Sequence, residues 1–263
     1  MQAEAFERAD PEMVQVLHRA STASITTILR RQYDVKNVWC PIRPLVPGMK
    51  VVGPALTVRT VPGRDDLQAQ AFLPGTRFPG HPDDAIDAVR PGDVVVLDGR
   101  GITTEGLFGD LLTLRIKMKG AAGLVCDMCV RDSPRLKIQG IPVFALGSVS
   151  PGGSVFTVDV NVPIGCAGIL VCPGDMVIGD DDGVVVIPRA LLGRVVDDVL
   201  LKEDREEFIR MRLAEGAPLD GLYPTSPETE QAFRRWRVEH TRVASTAPVV
   251  SEQEILRRGP GRP

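Results

Sequence analysis

The sequence predicts an α/β fold in which a compact β-rich layer carries helices on its outside. Short apolar runs at 94–97, 123–127 and 141–145 have the composition of strands that are buried on both faces. The two segments between these runs have helical spacing and end at Gly120 and Gly140. The resulting β-α-β-α-β order predicts three parallel strands joined by right-handed crossovers.

Both helices of this central unit have recognisable features. The first places Leu111, Leu114 and Met118 on one face. The second is expected to begin at Ser133 and Pro134, because serine can cap a helix and proline fits its first turn.

Further elements flank the central unit on both sides. Before it we expect a helix over 10–33 that can divide at 21–24, a loop over 41–48, a strand over 50–60 bent at Gly53, a long Gly- and Pro-rich loop over 61–81, and a short helix over 83–89. After it we expect a strand over 155–162, an apolar run over 164–171, a hairpin of 176–178 and 184–187, a charged helix over 190–214, and a last helix that follows a capping box at 225–228 and reaches about Arg242. The predicted domains are one main domain over 1–220, a helical extension over 221–243 and a disordered tail over 244–263.

Composition narrows the class of protein. The 263 residues carry a formal net charge of -3, so no strongly basic field suggests nucleic acid. The N-terminus lacks the order of a signal peptide, and no apolar run approaches the roughly 18 residues of a membrane span. Five cysteines without an export signal suggest reduced thiols. We therefore expect a soluble, cytoplasmic protein with no membrane or nucleic-acid partner.

Residues that can carry chemistry gather at the predicted carboxyl ends of two strands. Asp110 begins the helix after the first strand, and Arg131 and Asp132 lie in the turn after the second. In open α/β sheets these positions face a common crevice. Either aspartate alone could simply stabilise a helix N-terminus. Together with a guanidinium and free N–H groups, however, they suit an anion and a divalent cation.

Motifs for other cofactors are incomplete. Cys126 and Cys129 have redox or zinc spacing, but no second pair follows, so buried thiols are favoured. The acidic run 180–183 lacks the later residues of a calcium loop and is expected to be a hairpin turn. His18, His81 and His240 lie far apart, which counts against a histidine-rich zinc site or a Ser-His-Asp triad.

Around Asp110, Arg131 and Asp132 the chain resembles the RraA-like family. The resemblance runs from about Gly53 to Arg189 through GPALTV, PGDVVVLD, IPVFA and PGDMVIGDDDGVVVIP. The family contains the regulator of ribonuclease activity A and the 4-hydroxy-4-methyl-2-oxoglutarate/4-carboxy-4-hydroxy-2-oxoadipate aldolases. The Asp-x20-Arg-Asp element is specific to the aldolase branch, is complete here, and is absent from the regulator. The resemblance implies a swivelling β/β/α fold like that of phosphohistidine domains, and a homotrimer or homohexamer with active sites at subunit interfaces.

The resemblance also implies a role for each site residue. Asp132 would bind Mg²⁺ or Mn²⁺, Asp110 would hold a water of the ion, and Arg131 would bind the substrate and stabilise an enolate. A glutamate of a neighbouring subunit, Glu206 or Glu207, would complete the outer shell. The substrate carboxylate would bind backbone N–H groups at the helix start, those of Gly109, Asp110, Leu111 and Leu112.

The sequence therefore predicts a metal-dependent lyase that releases pyruvate from a 4-hydroxy-2-oxo acid, with oxaloacetate decarboxylation as a side activity. A Schiff-base aldolase is disfavoured because Lys117 and Lys119 lie on the helix, away from the strand end. Two alternatives stay open. One is an oxaloacetate decarboxylase or a sugar-acid-derived oxo-acid aldolase that uses the same site. The other is a non-catalytic regulator that binds a ribonuclease.

Overall fold

The structure, a computed structural model, describes residues 9–64, 66–67, 83–153 and 155–246. Its helices are α1 (Pro11–Arg19), α2 (Thr22–Gln32), α3 (Asp83–Ala88), α4 (Asp110–Met118), α5 (Ser133–Gln139), α6 (Leu192–Ala214) and α7 (Pro227–Thr246). Its strands are β1 (Trp39–Cys40), β2 (Arg43–Pro44), β3 (Val51–Pro62), β4 (Val94–Leu97), β5 (Gly123–Val130), β6 (Val143–Ser148), β7 (Val155–Val160), β8 (Ile164–Cys166), β9 (Ile169–Val171), β10 (Met176–Asp180) and β11 (Gly183–Ile187). Most of the loop predicted at 61–81 lies outside the described residues. Among the helices of the described residues, none combines the length and the apolar composition of a membrane-spanning segment.

The predicted β-α-β-α-β unit is confirmed as β4-α4-β5-α5-β6. These three strands are parallel neighbours in a mixed sheet of order β1-β11-β10-β3-β4-β5-β6-β2, and β7 pairs with β3. Because β4 and β5 are adjacent and parallel, the turns that follow them open at the same sheet edge. That edge holds the residues singled out above.

Strand β3 links the two parts of this sheet. Its first residues pair antiparallel with β10, and from Ala55 onwards it pairs in parallel with β4. Gly53 lies where the partner changes, and a Cβ atom there would come within 2.2 Å of the Gly92 carbonyl oxygen. A glycine is therefore required by the close approach of a second backbone segment.

Helix α4 forms where its spacing predicts, but its apolar face is exposed. Leu111 and Met118 are 74% and 72% exposed, and Leu114 is also exposed. The residues that α4 buries against the sheet are Thr113 and Ile116. Helical periodicity identifies a shared face, but it cannot tell which element, or which molecule, covers that face.

Several element limits differ from the sequence prediction. The predicted loop 41–48 contains the edge strand β2, whose two residues are too few to give a sequence pattern. Helix α7 continues to Thr246, past the predicted end at Arg242, so 244–246 are helical; residues 247–263 lie outside the described part. Its N-terminus is capped by Ser226, whose hydroxyl accepts the Thr229 N–H at 3.2 Å, not by Thr225. The division of the first helix is confirmed, with Ser21 as the cap of α2.

The chain divides into two compact units, Met1–Leu200 and Leu201–Pro263. The second unit contains the end of α6 together with α7, and Phe208, Phe233 and Trp236 pack against one another there. Ion pairs add to this packing, including Arg237 with Asp204 at 2.8 Å. The domain limits proposed from the sequence, 220 and 243, stay a prediction.

Asp127 is a buried carboxylate that ties two loops to the central strand β5. It accepts a hydrogen bond from the backbone N–H of Gly99, which lies after β4. It accepts a second one, at 2.9 Å, from the backbone N–H of Ala167 in the β8–β9 turn. We expect Asp127→Ala to destabilise the fold by about 2–6 kcal/mol, because two N–H groups lose their acceptor at a cost of about 1–3 kcal/mol each. Urea unfolding measures this change. Asp197→Ala, at an exposed position of α6, is the control and should stay within about 0.5 kcal/mol of wild type.

Candidate active site

The structure brings Asp110, Arg131 and Asp132 together at the carboxyl edge of the parallel strands. Asp110 is the first residue of α4, and Asp132 directly precedes α5. The Asp110 backbone N–H donates to Asp132 Oδ2 at 3.3 Å. The twenty residues between Asp110 and Arg131 thus form one helix, α4, and one strand, β5. Together these two elements bring the chain back to the same edge of the sheet.

Asp132 adopts a left-handed backbone conformation, with φ 56° and ψ 35°. It occupies the N-cap position of α5, one residue before Ser133, the other residue that the sequence offers as a cap, yet its side chain makes no capping hydrogen bond. The carboxylate is instead turned towards the start of α4. A positive φ is uncommon outside glycine, although aspartate adopts it more readily than most other residues. The simple explanation that Asp132 only caps a helix therefore does not account for its carboxylate.

Gly109, the N-cap of α4, makes room for this carboxylate. A Cβ atom at Gly109 would lie 2.4 Å from Asp132 Oδ2. The φ of Gly109 is -106°, which any residue can adopt. The glycine is therefore needed for the close approach of Asp132, not for the turn.

We expect Gly109→Ala to lower activity at this site at least tenfold while the protein stays folded, because the added methyl group displaces the Asp132 carboxylate and positioning errors of about 1 Å can cost about 100-fold. Steady-state kinetics and a thermal melt measure the two effects. Gly193→Ala is the matched control, since the Cβ there meets nothing within 4 Å and a Gly-to-Ala change favours helix α6. Equal activity of the two variants would contradict the assigned geometry.

Arg131 presents a guanidinium that no carboxylate neutralises within the described residues. Its backbone N–H donates to the Phe108 carbonyl at 2.9 Å, and its side chain runs beside Gly106 and Gly152. A Cβ atom at Gly152 would lie 3.2 Å from Arg131 Nη1. The Nε atom is buried and has no hydrogen-bond partner in the described part of the chain. A buried, unpaired donor beside a cleft is suited to a ligand anion.

Asp110 is held between two residues of α5. Gln139 donates through Nε2 to the Asp110 carbonyl at 2.8 Å, and Arg135 Nη1 lies 3.4 Å from Asp110 Oδ2. The Asp110 side chain is 19% exposed, whereas that of Arg135 is 76% exposed, so this ion pair is loose and screened by water. The N–H groups of Leu111 and Leu112 belong to the first turn of α4, where no intrahelical acceptor exists.

A cavity of about 360 Å³ opens beside these residues. Its lining consists of Arg131, Asp132, Ser133, Pro134, Ser148, Val149 and Ser150. The segment 148–150 was missed by the sequence analysis. It begins at Ser148, the last residue of the third parallel strand β6, so the crevice rule applied to that strand would have found it.

The donor set fits a divalent cation that retains much of its water. No group of three or more His, Cys, Asp and Glu side chains is arranged to hold a metal within the described residues. The carboxylates of Asp132 and Asp110 nevertheless lie at one edge, and Asp132 is solvent-exposed there. Mg²⁺ is characteristically bound by one or two carboxylates together with waters and substrate oxygens. A closed zinc-type site would need more protein ligands.

The two candidate glutamates lie on α6, in the second compact unit. Glu206 is paired with Lys202 and with Arg210, the latter at 3.2 Å, and Glu207 is exposed. Their implied role as an outer-shell group from a neighbouring subunit stays a prediction.

The other motifs have structural explanations. Burial raises the pKa of the Cys126 and Cys129 thiols, so neither is a ready thiolate. In the 180–183 turn, the Asp180 carboxylate accepts from both the N–H and the hydroxyl of Thr22. Asp98, at the end of β4, has its pKa raised by burial and then by the charge of Asp127.

Comparisons with known proteins all point to one protein family. The sequence model of the RraA-like family, described as aldolase/RraA, matches residues 22–186. A protein of Halalkalibacterium halodurans provisionally named 4-hydroxy-4-methyl-2-oxoglutarate aldolase is 33% identical over 184 residues, which are 69% of this chain and 81% of that protein. Protein DlpA of Legionella pneumophila is 30% identical over 212 residues, and this match covers 80% of the chain but only 33% of DlpA.

Solved structures share the fold. The structure of Streptomyces coelicolor RraAS2, described as an unusual member of the RNase ES inhibitor RraA family, has a TM-score of 0.69 and 34% identity. The match covers 79% of this chain and all of that one. An uncharacterised Pseudomonas syringae protein matches with a TM-score of 0.71 and 24% identity over 83% of this chain and all of that one, which supports the fold alone.

Proposed function

This chain belongs to the RraA-like family, and on that premise we propose that it is a divalent-cation-dependent lyase that releases pyruvate from a 4-hydroxy-2-oxo acid. The observation that carries the proposal is the juxtaposition of the Asp132 carboxylate, the start of α4 and the Arg131 side chain, whose buried Nε has no hydrogen-bond partner among the described residues. A lyase is also what the names of several relatives indicate.

The proposed site can recognise the 2-oxo acid end of a substrate. The carboxylate would accept the N–H groups of Leu111 and Leu112, where the positive end of the α4 dipole favours an anion. The Arg131 guanidinium would donate to the 2-keto oxygen. Asp132 would hold Mg²⁺ or Mn²⁺, with Asp110 beside it. The bound cation supplies Lewis-acid polarisation of the keto group.

Cleavage then requires one proton acceptor and one site for the developing charge. Asp110 would take the proton of the 4-hydroxyl, directly or through a water, as that oxygen becomes a carbonyl. The electron pair of the C3–C4 bond moves into the C2–C3 bond, and the negative charge develops on the C2 oxygen beside Arg131. Return of this proton from Asp110 to C3, directly or through the same water, would complete pyruvate and restore the Asp110 carboxylate. Loss of CO₂ from oxaloacetate leaves the same enolate, which accounts for the proposed side activity.

The proposed function is tested by measuring pyruvate release from 4-hydroxy-4-methyl-2-oxoglutarate and from oxaloacetate, coupled to lactate dehydrogenase. We expect release with Mg²⁺ or Mn²⁺ and its loss in EDTA, with recovery when the cation is restored. Release that is unaffected by EDTA would exclude the cation-dependent mechanism.

We further propose a homo-oligomer in which the exposed face of α4 contacts a second copy. Leu111, Leu114 and Met118 form this face, and Ile138 of α5 is another exposed apolar residue close to the site. Contiguous exposed apolar surface usually marks an interface. In such an oligomer, Glu206 of a neighbouring copy is the candidate for the outer shell of the cation.

We expect the double variant Leu114→Glu, Met118→Glu to dissociate the oligomer, because it places two charges in a face that association would bury. Light scattering after size exclusion measures the mass. Leu170→Glu, at an exposed leucine of β9, is the control and should keep the wild-type mass. A double variant that retains its mass would show that another surface forms the interface.

A second candidate function is binding to a ribonuclease. The likeness to RraAS2, whose family is described as RNase ES inhibitors, favours it. An intact protein that releases no pyruvate from any oxo acid but inhibits a purified RNase E-type enzyme would support this alternative.

A further inference from the structure

The cavity beside Arg131 and Asp132 is lined by three serines. Ser133 begins α5, Ser148 ends β6, and Ser150 follows two residues later. The remaining two lining residues, Pro134 and Val149, are apolar. A volume of about 360 Å³ is in the range of small-molecule sites. Such a cavity has room for groups beyond the carboxylate and keto oxygen that the proposed mechanism fixes.

The segment that carries Ser148 and Ser150 is fixed by backbone hydrogen bonds. The Val149 N–H donates to the Val130 carbonyl at 3.0 Å, which keeps it beside the end of β5. The Pro151 carbonyl accepts the Gly106 N–H at 3.1 Å, which joins it to the loop before α4. Polar groups on a segment held at both ends are preorganised and lose little freedom when they bind a ligand.

Both charged residues that line the cavity already have a role in the proposed function. Arg131 and Asp132 are the charged residues of its described lining, and the proposed function places both at the pyruvyl end of the substrate. Arg135, the next cation along α5, does not line the cavity and is paired with Asp110. A second carboxylate bound at Ser148 and Ser150 would therefore have no further cation of the described lining to pair with.

Serine hydroxyls are matched instead to uncharged hydroxylated groups. Each hydroxyl can donate one hydrogen bond and accept others, so it can pair with a substrate hydroxyl in either direction. A site built to bind hydroxyls also discriminates against analogues that lack them, because its own polar groups are left unpaired.

We propose that Ser148 and Ser150 form a subsite for the C4 substituent, and that the preferred substrates are 4-hydroxy-2-oxo acids with a neutral, hydroxylated tail. The 3-deoxy-2-oxo sugar acids are the chemical class that fits. The inference rests on the proposed function and departs from the charged tail of 4-hydroxy-4-methyl-2-oxoglutarate, after which several relatives are named.

The test compares kcat/KM for pyruvate release from a 3-deoxy-2-oxo-hexonate and from 4-hydroxy-4-methyl-2-oxoglutarate, in the full chain with Mg²⁺. We expect the hexonate to be favoured by about tenfold or more. Ser148→Ala and Ser150→Ala should each lower kcat/KM for the hexonate about two- to tenfold, the usual effect of one neutral hydrogen bond. Ser150→Lys should shift the ratio towards the glutarate by about tenfold, since it supplies the missing cation. Leu170→Lys, which adds the same charge on exposed β9, should keep the wild-type ratio.

A wild-type preference for the glutarate, or serine variants that affect both substrates equally, would overturn the subsite. Deuterium exchange into the methyl group of pyruvate, which involves no tail, is measured in parallel. Exchange without cleavage of the hexonate would overturn the subsite alone. Absence of both exchange and cleavage would overturn the enolate chemistry on which it rests.

Discussion

Arg131→Ala is expected to lower kcat/KM for pyruvate release about 100- to 1,000-fold, or roughly 3–4 kcal/mol, because in the proposed mechanism it removes the donor beside the oxygen on which the enolate charge develops. The loss should appear mainly in kcat, since the interaction strengthens as charge develops. Arg131→Lys should recover only part of this activity, because an ammonium keeps the charge but lacks the planar fork of donors.

Steady-state kinetics on oxaloacetate and on a 4-hydroxy-2-oxo acid measure this effect. Arg31→Ala removes an exposed arginine from the last turn of α2 and serves as the control for a general loss of positive charge. Wild-type kcat/KM in Arg131→Ala would remove the guanidinium from the mechanism.

Asp132→Asn is expected to lower activity at limiting Mg²⁺ by at least about 100-fold, because loss of even an outer-shell partner of a metal ligand costs about 10- to 100-fold. Asparagine is the informative substitution. Asp132 has φ 56°, a conformation that asparagine tolerates and that would strain alanine. The amide therefore removes the charge with little change in the backbone.

Titration with Mn²⁺, followed by the loss of its free electron paramagnetic resonance signal, measures cation binding independently of turnover. Asp197→Asn, at an exposed site on α6, is the matched control. If Asp132→Asn bound Mn²⁺ as tightly as wild type, another residue would have to hold the cation.

The central unit could be predicted from the sequence because its signals are local. The strand β4 is a run of four apolar residues, and Gly120 and Gly140, both with positive φ, end the following helices. Once β4 and β5 are taken as parallel neighbours, the meeting of Asp110 and Asp132 follows from topology alone. No side-chain detail is needed for that step.

Other features depend on contacts between distant parts of the chain, which a sequence pattern does not contain. The edge strand β2 is two residues long and exists only because β6 offers a partner. The left-handed conformation of Asp132 and the reason for Gly109 become apparent only when the carboxylate is seen beside α4. The sequence also could not predict whether the apolar face of α4 packs on the sheet or is exposed. The periodicity is the same whether that face contacts the sheet or another molecule.

The most direct test of the site is its ability to form a pyruvate enolate, which does not depend on the identity of the C4 substituent. The protein is incubated with pyruvate in D₂O, and the methyl signal is followed by proton NMR. We predict deuterium exchange in the presence of Mg²⁺ or Mn²⁺, its loss in EDTA, and strong reduction in Arg131→Ala and Asp132→Asn. Exchange no faster than in buffer, from wild-type protein that binds Mn²⁺, would contradict the proposal that Asp110, Arg131 and Asp132 form a pyruvate-enolate site.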